Sequence, residues 1–108
     1  MRPSMLIAFM AASLHLSASR FDCSISPPPE QDQTRLVWQY TDLLDPAEEN
    51  RLNAKLVEFA RETSNRILVI VVDTLCGLPE SDLAFEIGEK WGIGKAGSDN
   101  GIVFLIKP

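Results

Sequence analysis

The chain has 108 residues, the size of one domain. Hydrophobic residues make up 45% and charged residues 23%, a globular balance that excludes a disordered chain. Fifteen acids against ten bases give a net charge of −5, which excludes non-specific nucleic-acid binding and a polybasic membrane-surface site, because both depend on clustered positive charge. The two cysteines and His15 form no Cys-x-x-Cys or His-Glu-x-x-His spacing, so a disulfide-rich scaffold and zinc sites of those kinds are excluded too.

Residues 1–19 read as a signal peptide. Arg2 follows the amino terminus, Met5 to Leu16 is a mostly apolar run interrupted by His15, and Ser17-Ala18-Ser19 supplies small residues for cleavage. The run is too short for a bilayer span, which takes about 20 residues. The alternative is an apolar helix that stays on the domain. This reading places the mature chain outside the cytoplasm, periplasmic or secreted. A lipid anchor at Cys23 is disfavoured, because Arg20-Phe21-Asp22 is a poor lipobox. Export would let Cys23 and Cys76 pair, but two independent small hydrophobes are the favoured reading.

Residues 20–34 read as a linker, with three consecutive prolines that favour an extended chain before a domain at 35–108. Arg35 to Tyr40 has strand composition. Asp45-Pro46-Ala47-Glu48 then opens a helix: Asp45 is the N-cap, Pro46 sits where its missing N–H costs nothing, and Glu48 completes a capping box. Leu52, Leu56, Phe59 and Ala60 form its apolar stripe, and Thr63-Ser64-Asn65 ends it, with Asn65 able to turn left-handed. Ile67 to Val72 is an unbroken apolar run, suited to a parallel strand covered on both faces. A second helix starts near Pro79-Glu80 or Ser81, carries Leu83, Ala84, Ile87 and Trp91 on one face, and stops at Gly92. After a glycine-punctuated loop, Gly101 to Ile106 is a further buried strand. The order β-α-β-α-β predicts right-handed crossovers and a three-layer α/β/α sandwich.

Several stretches in this order resemble the TPM domain family, which includes thylakoid-lumen, photosystem II repair and receptor-auxiliary members. They are Leu43-Leu44-Asp45-Pro46-Ala47-Glu48-Glu49, Ile67 to Val72, Leu75-Cys76-Gly77-Leu78, Lys90-Trp91-Gly92-Ile93-Gly94 and Ser98-Asp99-Asn100-Gly101. The resemblance runs from about Val37 to Pro108. It implies an extracytoplasmic protein tied to maintenance of membrane proteins, with acid-phosphatase or calcium-binding activity. One departure is Gln39, which stands where the family usually has an aspartate. Against the family's extent, the chain reads as the N-terminal half of a domain, truncated after the third strand. That strand is then expected to be uncovered and to favour self-association.

Asp99 and Asn100 are the leading candidates for ligands, since a carboxylate beside an amide oxygen offers hard donors to Ca²⁺ or another divalent cation. The competing reading is an Asn-Gly turn. Asp42 and Asp73 follow the first two strands and fall at the carboxyl edge of a parallel sheet, where α/β folds place ligands. Asp99 precedes the third strand and so belongs to the opposite edge. The glycines at 92, 94, 97 and 101 lack a phosphate-cradle pattern, and no nucleotide or redox cofactor is expected. Trp91 reads as a core or lid residue, and Glu48, Glu49, Glu58, Glu62, Glu86 and Glu89 as solvated faces. Two functions remain: a binding or accessory module acting on membrane-associated proteins, and a metal-dependent acid phosphatase. The loss of the carboxylate at Gln39 favours the first.

Overall fold

A computed structural model describes residues 20–93 and 100–108. The signal-peptide segment at 1–19 and the candidate ligand Asp99 lie outside the described residues. Three strands form one parallel sheet in the order β1-β2-β3: β1 (Val37–Gln39), β2 (Asn65–Val71) and β3 (Asn100–Ile106). Helix α1 (Pro46–Thr63) joins the first pair and α2 (Glu80–Trp91) the second, giving the expected β-α-β-α-β sequence of elements.

The α1 start is set locally. The Asp45 carboxylate accepts from the Glu48 N–H at 2.8 Å, and Glu48 returns the bond to the Asp45 N–H at 3.0 Å. Two otherwise unpaired helix-terminal donors are thereby satisfied by a four-residue sequence. At the other end the left-handed cap is Ser64, with φ of 63°, and Asn65 already belongs to β2. The Ser64 N–H bonds to the Ala60 carbonyl, and the Thr63 hydroxyl accepts from the Asn65 N–H. These contacts bring the strand in one residue earlier than the left-handed preference of asparagine suggested. Gly92 ends α2 as expected, at φ of 72°, where a side chain would be strained.

The pleat divides the sheet between two helices. Leu68, Ile70 and Val72 share one face with Trp38, Val103 and Leu105, and α2 covers that face through Leu83 and Ile87. Trp91 stacks edge-to-face on Trp38 at 5.7 Å, which makes it a core residue. On the opposite face Val37, Val69 and Val71 lie beneath α1, whose Leu52, Leu56 and Ala60 are half-buried. Phe59, expected in that stripe, is 39% exposed, and Asn53 turns inward instead to accept from the N–H groups of Leu36 and Val37. With neighbouring strands in chain order and helices on opposite faces, the two crossovers have opposite hand. This departs from the right-handed pair that the element order predicts.

The space beside α2 over β1 and β2 is filled by Phe21 and Ile25 from residues 20–34. This segment had read as a spacer. It is instead a strap with Phe21 and Ile25 in the core, each 5% exposed. Phe21 packs edge-to-face on Tyr40 at 5.2 Å. Cys23 and Cys76 form a disulfide, so they are not two independent hydrophobes. The strap starts beside Asp73 at the carboxyl end of β2, and the Arg66 side chain at the amino end bonds to the Gln33 carbonyl. It then passes through a short 3₁₀ turn at Glu30–Asp32 on its way to β1.

Candidate functional site

The carboxyl edge of the sheet gathers the ends of β1 and β2. Gln39 is the last residue of β1. Its Oε1 accepts from the N–H groups of Leu43 and Leu44, at 3.1 and 2.7 Å. Its Nε2 donates to the Leu44 carbonyl and, at 2.7 Å, to Glu49 Oε1. One amide therefore ties the β1–α1 loop to the first turns of α1, using both its donor and its acceptor. Glu49, expected on a solvated face, is half-buried and pairs through its other oxygen with Arg35. The guanidinium of Arg35 also lies 5.2 Å from the Trp38 ring centroid. A carboxylate at position 39 would accept the two loop N–H groups equally well. It could not donate to Glu49, and would set two negative charges side by side.

Asp73 faces this edge from the end of β2 and is tied to the segment ahead of the sheet. One accepts from the Phe21 N–H at 3.0 Å, and the other lies 3.8 Å from the Arg20 guanidinium. The Phe21 N–H bond holds the Asp73 carboxyl below its ordinary value against an opposing desolvation, with help from the charges of Arg20 and Lys107. In this arrangement Asp73 is a clamp on the strap. Asp42 is exposed on the loop after β1. Tyr40 follows β1, and burial pushes its hydroxyl up.

The amino edge holds the other candidate. Asn100 opens β3 and pairs in register with Asn65 of β2; its side-chain amide donates to the Asn65 side-chain oxygen at 3.1 Å. The sheet is parallel throughout, so Asn100 stands at the opposite edge from Asp42 and Asp73, as the sequence order required. Beside it a shallow cleft of about 420 Å³ lies between α2 and β3, lined by Ser81, Phe85, Gly88, Glu89, Gly101 and Val103 among others. Gly101 is needed there: a Cβ would fall 2.6 Å from the Ile93 carbonyl oxygen. Among the described residues no three His, Cys, Asp or Glu side chains converge in a way that could hold a metal ion.

The model of the TPM domain family matches residues 37–108, about two thirds of the chain. The chain belongs to the TPM domain family. The TPM match opens on the first residue of β1 and takes in all five elements of the sandwich. The strap precedes it, so the disulfide joins a residue ahead of the TPM region to one inside it. No curated protein matches the chain. Among the described residues no helix is long and apolar enough to cross a membrane.

Sequence reasoning put Asp42 and Asp73 at the carboxyl edge, where the ends of β1 and β2 lie, and assigned Asp99, outside the described residues, to the opposite edge, where its neighbour Asn100 opens β3. It missed the network around Gln39 and the work of Asp73. Gln39 had stood out only as a lost carboxylate, although a β-strand amide followed ten residues later by Glu49 was visible. The strap had a signal as well, in the apolar pair Phe21 and Ile25 flanking Cys23 within an otherwise polar stretch.

Proposed function

We propose that this TPM-type domain is an extracytoplasmic binding and accessory module for membrane-associated proteins, in the manner of the thylakoid-lumen, photosystem II repair or receptor-auxiliary branches. Membership of the TPM domain family carries the reading. The Cys23–Cys76 disulfide supports the location, because such bonds persist in oxidising compartments and are rare in the reducing cytosol. The apolar segment at 1–19 supplies an export signal. Self-association through the apolar surface of β3 belongs to the same reading, and so does weak Ca²⁺ or other divalent-cation binding at Asp99 and Asn100. Two such donors leave most of calcium's six to eight positions to water, which puts affinity in the ~millimolar range.

The alternative, a metal-dependent acid phosphatase of the TPM family, calls for clustered carboxylates that position a metal against phosphoryl oxygen. At the carboxyl edge, position 39 carries a glutamine committed to the α1 loop, and Asp73 is committed to Phe21. These commitments favour binding over catalysis. The test is expression of the full chain with a C-terminal tag in a secretory host. The expected product lies outside the cytoplasm with Cys23 joined to Cys76. Retention in the cytoplasm with both thiols free would overturn the reading. Divalent-metal-dependent hydrolysis of p-nitrophenyl phosphate, lost in Asp73→Asn, would establish the alternative.

A further inference from the structure

We propose that the Cys23–Cys76 disulfide is a redox latch: its reduction by a dithiol releases the strap, residues 20–34, from the α2 face while the β-α-β-α-β body stays folded. Three observations carry this. First, the strap contributes no strand to the sheet and ends ahead of the TPM region. Among the described residues its hold consists of two apolar side chains, the Asp73 clamp, the Arg66 bond to the Gln33 carbonyl and the disulfide. The body elements pack on one another without it: α1 on β1 and β2, α2 on β3, and β2 between its two neighbours.

Second, the bridge sits in backbone that side chains rarely adopt. Cys76 has φ of 58°, followed by Gly77 at 75°, in a turn closed by the Leu78 N–H on the Leu75 carbonyl. Ile25, two residues beyond Cys23, has φ of 59°, an uncommon conformation for a β-branched residue. The left-handed conformation of Ile25 accompanies docking of its side chain in the core, so undocking relieves it. Third, the bridge is reachable, since Cys23 is exposed and Cys76 half-buried. A thiolate of the dithiol attacks one sulfur and breaks the S–S bond, forming a mixed disulfide. The second thiol closes onto it and displaces the protein sulfur. Two electrons and two protons pass to Cys23 and Cys76, and the reductant leaves as its disulfide. Departure of the strap uncovers the Tyr40 ring and frees the Asp73 oxygen that accepts from the Phe21 N–H in the closed form.

The test is amide hydrogen exchange by mass spectrometry on the full chain, oxidised and then reduced with dithiothreitol, following peptides from the strap and from β2. On reduction the strap peptide should exchange about tenfold faster or more, while the β2 peptide keeps its rate, and reoxidation should restore both. A Cys23→Ser, Cys76→Ser double variant should match the reduced protein. An unchanged strap rate on reduction would make the disulfide a redundant staple and overturn the proposal. Loss of β2 protection in step with the strap, in either the reduced protein or the double variant, would make it a requirement for the whole fold and overturn it equally.

Discussion

Strands β2 and β3 read alike in sequence and live in different surroundings. Ile67 to Val72 and Gly101 to Ile106 are both unbroken apolar runs, which suggest burial on both faces. From β2 into the next residue, Leu68 to Val72 are buried without exception. In β3, Ile102 and Phe104 are 56% and 57% exposed. The difference is positional. β2 is the central strand, with α1 on one face and α2 with the strap on the other. β3 is at the edge: α2 covers Val103 and Leu105, while α1 packs on β1 and β2. Apolar composition records that a face is made to be covered. Place in the sheet decides what covers it among the described residues.

The largest expected effect separates the two strands directly. Ile70→Ala should cost about 2–5 kcal/mol, from lost transfer energy and an uncollapsed cavity. Phe104→Lys should leave the denaturation midpoint within about 0.5 kcal/mol equivalent, as for exposed positions. If β3 drives self-association, the same lysine should lower the sedimentation coefficient toward that of a monomer. Comparable destabilisation by the two substitutions would show that Phe104 is covered in solution.

Next in size is the disulfide that keeps the α2 face closed. It joins residues 53 apart, so opening it frees a long loop in the strap-released state. The Cys23→Ser, Cys76→Ser variant should lose about 2–4 kcal/mol of strap closure, read from the strap's exchange rate, while the urea midpoint of the body holds. A smaller effect comes from the helix on the other face. Asp45→Ala removes the capping box and should cost about 1 kcal/mol, read as a shift in the urea midpoint at unchanged slope.

The smallest effect concerns acid. Asp73 has a folded pKa held below its unfolded value, so the clamp on Phe21 contributes fully above the unfolded value of about 4. Its contribution is lost as pH falls through the lowered folded value. Exchange of the Phe21 amide should therefore accelerate in strong acid relative to amides of β2. Asp73→Asn should flatten that dependence. An identical acid profile in the variant would assign the clamp to packing alone.

Much of the body was legible because its signals are local. Asp45-Pro46-Ala47-Glu48 specifies a helix start through bonds spanning three residues. Gly92 ends α2 through its own backbone freedom. Apolar runs announce strands, and two helices between three strands announce a parallel sheet with opposed edges, which was enough to part the start of the third strand from Asp42 and Asp73. Ser64 in place of Asn65 as the left-handed cap shows the limit of local preference, since the hydrogen bonds of Thr63 and Ser64 settle the matter by one residue.

Tertiary structure alone decided the rest. Whether Cys23 meets Cys76, which N–H the Asp73 carboxylate accepts from, and which side chain Asn100 meets all depend on groups 35 to 53 residues apart, as in the Asn100–Asn65, Phe21–Asp73 and Cys23–Cys76 contacts. A residue's type limits the bonds it can form, as with the donor and acceptor of Gln39. Only the folded chain selects the partner, because burial leaves each polar group the neighbours within reach and makes an unpaired one costly.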